Sequence, residues 1–178
     1  MNDVLDSLRS HARIVHRLVR AGDRSSIDRL RKLRELRTLT DGDLADTVQR
    51  RHILTAMARE LGFTGWSHLC AVVDREETGD FGTLLYPHGL EAHWNIWSAS
   101  YDEARGIRAE HGGFLLTYKR HFFIVDEHFV RSLGLDPDDP DWRKIGRDWA
   151  QPADTVARRR LYGKLIATRM PTLEAVPN

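Results

Sequence analysis

The sequence predicts a mainly α-helical protein, α+β at most, in which an N-terminal four-helix unit is followed by an α-rich unit with one short β-hairpin. Apolar residues recur at helical spacing along most of the 178 residues, and only residues 114–125 are rich in aromatic and β-branched side chains. Hydrophobic residues make up 41% and charged residues 30% of the chain, which is typical of a globular protein and not of a disordered one.

A change in composition predicts where the first unit ends. Residues 74–92 lose the helical spacing and combine three glycines, one proline and a cluster of charges, as linkers and long loops do. We therefore expect a helical unit at 1–75, a linker or long loop at 76–92, a second unit at 93–170 and a flexible tail at 171–178.

The first unit is expected to contain four helices. Their apolar rows predict the ranges 4–19, 27–36, 44–61 and 66–73. Ser25 or Ser26 is placed to cap the second helix. Gly62 follows the third helix, where a residue with positive φ ends many helices, and Phe63 can fold back onto that helix. We therefore interpret this stretch as a corner between two helices.

The same corner carries a family resemblance. The string Ala58-Arg59-Glu60-Leu61-Gly62-Phe63, followed by Trp66 and Leu69, resembles the Ala-Arg-Glu-x-Gly-Phe-x-x-Trp-x-x-Leu string of a short bacterial helical module. That module often precedes ankyrin repeats or other small domains, and the match covers about residues 1–75. Gly65 departs from the serine or alanine that is more usual there. The resemblance implies a helical fold and an accessory role, and it brings no catalytic residue with it.

The second unit is expected to begin with a helix over residues 93–110, because aromatic residues recur there at helical spacing. Two short runs, Phe114–Tyr118 and His121–Val125, predict the strands of the hairpin, although the turn between them lacks the Gly or Asn that tight hairpins favour. Asp126 and Asp139 are placed to cap the two helices that follow, and a last helix is expected to run to about Arg169.

Cysteine content and hydropathy exclude several classes of protein. Cys70 is the only cysteine, so the chain can form neither an intramolecular disulfide nor a multi-cysteine zinc site. The N-terminus has no apolar signal region, and no stretch approaches 18 uninterrupted apolar residues. We expect a soluble, cytoplasmic protein with no membrane partner.

Histidines in the second half are the candidates for a metal site. Neutral imidazole is the commonest transition-metal ligand, and such a site needs two or three imidazoles with a carboxylate on converging elements. No pair has the His-x-x-x-His spacing that fixes two ligands on one helix, so our main interpretation is that the protein has no metal and no cofactor. The candidates for the alternative are His88, His93, His121 and His128.

Aromatic residues in the second unit predict either a packed core or a pocket. Tryptophan and tyrosine can line an apolar pocket while they offer a hydrogen-bond donor, which suits a small-molecule or nucleobase site. The candidates for ligand binding are Trp94, Asn95, Trp97, Tyr118 and Arg120. If the pocket were catalytic, His93 or His121 would serve as the general acid or base.

A row of arginines on the first predicted helix is the candidate for nucleic-acid binding. Residues 9–37 hold ten basic side chains against three acidic ones, and each arginine that contacts a phosphate adds a salt-sensitive increment of affinity. The row consists of Arg9, Arg13, Arg17, Arg20 and Arg24. A solvated, partly ion-paired helix face is the more usual meaning of such a row.

These observations favour a non-catalytic binding or interaction module of bacterial type, whose partner is another protein or a small molecule. One alternative is a small enzyme or metal-binding protein that uses histidines and aromatic residues in the second unit. The other alternative is a nucleic-acid-binding protein that uses the arginine row.

Overall fold

The structure, a computed structural model, describes residues 4–74 and 79–170. These residues form mostly α-helix together with a small antiparallel sheet, which confirms a mainly α class with a β component. The chain divides into two compact units between Ala71 and Val72, slightly before the boundary at 75 that the sequence predicts. In chain order the elements are α1 (Val4–Arg20), α2 (Arg24–Leu30), a 3-10 turn (Arg34–Leu36), α3 (Asp41–Thr47), α4 (Arg50–Glu60), α5 (Trp66–Asp74), β1 (Asn95–Ser98), α6 (Tyr101–His111), β2 (Phe114–Tyr118), β3 (His121–Val125), α7 (Glu127–Ser132), α8 (Pro140–Lys144) and α9 (Thr155–Arg169).

Two helices that the sequence predicts as continuous are broken, so the four-helix count of the first unit is not confirmed. The helix expected at 27–36 is α2 followed, after an extended Leu33, by the 3-10 turn. Ile27, Leu30, Leu33 and Leu36 are nevertheless all buried. A spacing of three residues places side chains on one side of an α-helix and of a 3-10 turn alike, so the apolar pattern could not locate the break.

The helix expected at 44–61 is divided into α3 and α4 in the same way. Val48 and Gln49 between them are extended, with ψ angles of 132° and 157°. The backbone N–H of Gln49 donates to Nδ1 of His52 at 3.1 Å and so helps to cap the start of α4. Val48 is buried, which means that the apolar row continues through the break.

Asp23, and not Ser25 or Ser26, caps α2. Its Oδ2 accepts a hydrogen bond from the backbone N–H of Ser26 at 2.8 Å. Gly22 ends α1 with a φ of 82° and leaves Asp23 as the first extended residue. Aspartate and serine are equally good caps, so residue preference alone could not choose between them.

The helix end predicted at Gly62 is confirmed. Gly62 has a φ of 87°, and its N–H donates to the carbonyl of Arg59 at 3.0 Å. The N–H of Phe63 donates to the carbonyl of Ala58 at 2.9 Å, which completes a Schellman motif. Phe63 is buried, and its ring meets that of His68 in α5 edge to face at 5.5 Å.

The sheet of the second unit has the strand order β1-β3-β2, and both strand pairs are antiparallel. The predicted hairpin of β2 and β3 is confirmed with the expected bounds. The helix predicted to start at His93 is wrong in its first part, because Asn95–Ser98 pair with β3 and the helix begins only at Tyr101. Over so few residues the helical and strand periods cannot be told apart, and pairing with β3 decided the outcome.

The two faces of the sheet are covered differently. Helix α6 covers one face, where Ala104 packs with Leu115 and Ile124. The opposite face carries Phe123, whose ring lies 5.7 Å from that of Phe129 in α7. Trp97 lies on this second face and is 40% exposed, so the helices leave part of the face open to solvent.

The N-caps predicted at Asp126 and Asp139 are confirmed, and the last helix ends at Arg169 as expected. Residues 79–92 form neither helix nor strand, and they belong to the second compact unit. Residues 76–78 of the predicted linker and the predicted flexible tail at 171–178 lie outside the described residues. No helix in the part of the chain that the structure describes is long and apolar enough to span a bilayer.

Candidate functional site

Five aromatic rings pack together on the second face of the sheet, and we call them the aromatic cluster. The ring of Trp97 stacks on that of Phe123 with a centroid distance of 4.7 Å and an interplanar angle of 17°. Tyr118 meets Trp97 edge to face at 5.7 Å, and Tyr86 meets it in the same way at 5.1 Å. The cluster consists of Tyr86, Trp97, Tyr118, Phe123 and Phe129. Edge-to-face and offset contacts of this kind stabilise aromatic packing beyond simple area burial.

Strand register explains why these rings meet. Trp97 is paired with Phe123 across β1 and β3, and Tyr118 is paired with His121 across β2 and β3. Because side chains alternate between the two faces of a sheet, all four residues lie on the face opposite α6. Asn95 lies on the same face, two residues before Trp97.

Hydrogen bonds hold Trp97 in one orientation. Its Nε1–H donates to Oδ1 of Asn95 at 2.7 Å, and Nδ2 of Asn95 donates to the backbone carbonyl of His93 at 2.8 Å. Despite these bonds and its ring contacts, Trp97 remains well exposed. The protein therefore presents a large apolar ring to solvent in a fixed position, instead of leaving it free to change rotamer.

Cations border the cluster at the turn between β2 and β3. The Nζ atom of Lys119 lies 5.3 Å from the centroid of the Tyr118 ring, within the range of a cation–π contact. Arg120 follows Lys119 and is exposed, and the imidazole of His121 is exposed beside it. We call the solvent-exposed part of the cluster, formed by Trp97 and Tyr118 next to the turn at Lys119, its outer end. This outer end combines an exposed indole with positive charge.

The turn holds Lys119 in an unfavourable backbone conformation. Its φ is 51°, in the left-handed region that costs a residue with a Cβ atom about 1–2 kcal/mol. Two backbone hydrogen bonds hold it there: its N–H donates to the carbonyl of Gly82 at 2.7 Å, and its carbonyl accepts from the N–H of Phe81 at 2.9 Å. Strained positions of this kind concentrate at binding and catalytic sites.

The structure places the other candidate ligand-binding residue, Trp94, apart from the cluster. Trp94 is 49% exposed, and no aromatic ring of the described residues packs against it. Asn95, Trp97, Tyr118 and Arg120 are the predicted ligand-binding residues that the sheet does bring to one face or to its turn.

The histidines do not form a group. His93 packs against Phe129 with a centroid distance of 5.7 Å, at the end of β3 that carries Val125. His121 is at the other end of β3, which corresponds to a separation of roughly 13 Å along the strand. His88 is exposed beside Glu91, and His128 is exposed on α7. Within the described ranges no group of three or more His, Cys, Asp or Glu is arranged to hold a metal ion.

The members of the predicted arginine row are all exposed in the first unit. The prediction that all five lie on the first helix is wrong for Arg24, because α1 ends at Arg20 and Arg24 is the first residue of α2. Arg9 pairs with Asp6 at 2.8 Å and Arg24 with Asp41 at 3.5 Å. The remaining members have no hydrogen-bond or ion-pair partner among the residues that the structure describes, and they are Arg13, Arg17 and Arg20.

Three members of the site were not identified from the sequence: Tyr86, Lys119 and Phe129. Tyr86 lies in the predicted linker, yet its ring packs against the other rings of the cluster. The apolar pair before it, Leu84 and Leu85, is buried and was the available signal. The sequence identifies Lys119 only as a residue that tight turns disfavour. Its contact with the Tyr118 ring could not be predicted, because that contact depends on the geometry of the hairpin.

No protein-family model matches the chain, and no curated protein or solved structure matches it. The resemblance of residues 1–75 to a bacterial helical module stays a prediction.

Proposed function

We propose that the protein is a non-catalytic binding module that holds a planar, negatively charged small molecule against Trp97, at the outer end of the aromatic cluster. The observation that carries this proposal is the fixed and exposed indole of Trp97. It is stacked on Phe123, bonded to Asn95 and still 40% exposed to solvent.

Preorganisation is the first support for the proposal. A ligand that stacks on a freely rotating tryptophan must restrict its rotamers, and each such side chain costs about 0.5–1.5 kcal/mol on binding. Asn95 and the neighbouring rings have already imposed that restriction on Trp97. More of the stacking free energy therefore remains available for affinity.

The charges around the cluster indicate the chemistry of the ligand. Lys119 and Arg120, two cationic residues, follow one another directly after Tyr118. A sulfonate, phosphate or carboxylate attached to a planar ring would meet these cations while the ring lies on Trp97. The strain at Lys119 is consistent with a turn selected for ligand contact and not for stability.

The spacing of the histidines argues against acid–base catalysis that uses both of them on one substrate. His93 and His121 lie toward opposite ends of β3, roughly 13 Å apart along the strand, whereas a base must come within about 3 Å of the proton that it removes. A single small substrate could contact one of them but not both.

The proposal can be tested with 2-naphthalenesulfonate, a planar anion, in ¹H–¹⁵N NMR titrations. The five tryptophans provide separate indole N–H signals, and Trp97→Phe identifies the signal of Trp97 by its loss. We expect this signal to shift saturably, and Trp97→Ala to weaken binding at least tenfold. 2-Naphthol, which has the same rings without the charge, should bind several-fold more weakly because it forms no contact with the cations.

Val156→Ala is the matched control, since it removes another exposed apolar side chain, in α9, and should leave binding unchanged. Equal affinity of wild type and Trp97→Ala would refute the proposed site. Sustained turnover of a substrate that is lost in His121→Ala would refute the non-catalytic assignment.

A further inference from the structure

We infer that the first unit carries a separate binding site for single-stranded nucleic acid, in which one base enters the cleft between α4 and α5 and the phosphates follow the arginine row of α1. The inference does not depend on the proposed function, because all of its residues lie in the first unit.

The cleft has a volume of about 380 Å³, which lies within the range of small-ligand pockets. Arg51, Leu54 and Thr55 line it from α4, and residues 64–68 line it from the corner and the start of α5. Trp66 and Arg51 are among its lining residues, and none of the lining residues is acidic. An aromatic wall next to a cation suits a base with an attached phosphate.

Trp66 connects this cleft to the arginine row. The guanidinium carbon of Arg9 lies 5.7 Å from the centroid of the Trp66 ring, so the first arginine of the row is next to the cleft. Asp6 also pairs with Arg9 and helps to hold it there. A strand whose base lies against Trp66 would therefore have its next phosphate near Arg9.

The row continues along α1 with the geometry of a backbone-binding surface. Arg13, Arg17 and Arg20 follow Arg9 within an arc of about 80° on the helix, at about 100° per residue. From Arg9 to Arg20 the helix rises roughly 16 Å, a length that covers several successive phosphates. Arg13, Arg17 and Arg20 have no carboxylate partner among the described residues. No carboxylate among residues 4–74 and 79–170 therefore neutralises these three charges.

Fluorescence anisotropy of a labelled 12-nucleotide oligo-dT, measured with the full chain, tests the inference. Each phosphate contact on a single strand adds about 0.7 to the slope of log K against log salt concentration. We expect the double variant Arg13→Gln/Arg17→Gln to weaken binding about tenfold or more at low salt and to lower that slope by roughly 1.4. Arg51→Gln should weaken binding to dT12 more than binding to an abasic strand of the same length.

The matched control is Arg105→Gln/Arg131→Gln, which removes the same charge from exposed positions of the second unit. An equal loss of affinity in the control would show that net charge alone attracts the strand, and it would overturn the inference. Inorganic polyphosphate that competes as well as dT12 at equal charge would overturn the role of the base. The variants' exposed positions should leave thermal unfolding unchanged, so a loss of binding is not a loss of fold.

Discussion

Gly113 permits the close approach of β2 to β3, and its replacement by alanine should be severely destabilising. Gly113 has a φ of 87°, and a Cβ atom placed on it would lie 2.5 Å from the carbonyl oxygen of Val125 and 3.4 Å from Cγ2 of Ile124. Val125 is the partner of Phe114, the first residue of β2. The clash is with backbone that is paired on both sides, so no side-chain rotation can relieve it.

The cost of Gly113→Ala has two parts. A residue with a Cβ atom at such a φ costs about 1–3 kcal/mol, and forced movement of well-packed neighbours costs about 1–3 kcal/mol more. Gly112→Ala separates the two, since Gly112 has a φ of 75° but a Cβ atom placed on it would meet no other atom within 4 Å. We expect Gly112→Ala to lower the free energy of unfolding by the strain cost alone. Gly113→Ala should lower it by about 2 kcal/mol more than Gly112→Ala does.

Urea unfolding followed by circular dichroism measures both free energies of unfolding, which are compared at equal m-values. The face that carries Trp97 depends on the same strand pairing, so Gly113→Ala should also weaken binding of 2-naphthalenesulfonate. Equal destabilisation by the two substitutions would refute the reasoning, because it would mean that the approach of Val125 to Gly113 imposes no steric demand.

Two further predictions concern strain and pH. Lys119→Gly should raise the free energy of unfolding by about 0.5–1 kcal/mol, because glycine relieves the strain of a φ of 51° at some entropic cost. Lys119→Ala keeps a Cβ atom and should not stabilise the protein. A higher free energy of unfolding for Lys119→Ala would contradict the prediction. Burial lowers the pKa of His11 from 6.5 and Arg29 lowers it further, against a smaller opposing effect of Glu60. The unfolded chain then binds the proton more tightly, so stability should fall as the pH drops below about 6.5, in a window that extends down to the folded-state pKa. His11→Gln should reduce this loss in pH-dependent thermal unfolding, and the exposed control His111→Gln should not.

Features that depend on a few neighbouring residues were predictable from the sequence. The Schellman ending at Gly62 and the cap at Asp126 are local, because each needs only the residues within one turn of a helix. The hairpin at 114–125 was predictable for the same reason, since its two strands are joined by a two-residue turn. The candidate residues Trp97 and Tyr118 could be named from their chemistry, but their contact could not.

Contacts between distant segments, in contrast, selected the remaining strand and the rings that meet on the sheet. Asn95–Ser98 form a strand because β3 offers an edge to pair with, and that edge is more than twenty residues away in the chain. Tyr86 joins the aromatic cluster by the same kind of long-range contact. The order of amino acids sets where helices end and which side chains must be buried, because backbone preference and hydrophobicity act within a few residues. The exposed face of Trp97 follows from long-range pairing, since it depends on the free energy of the whole packed unit.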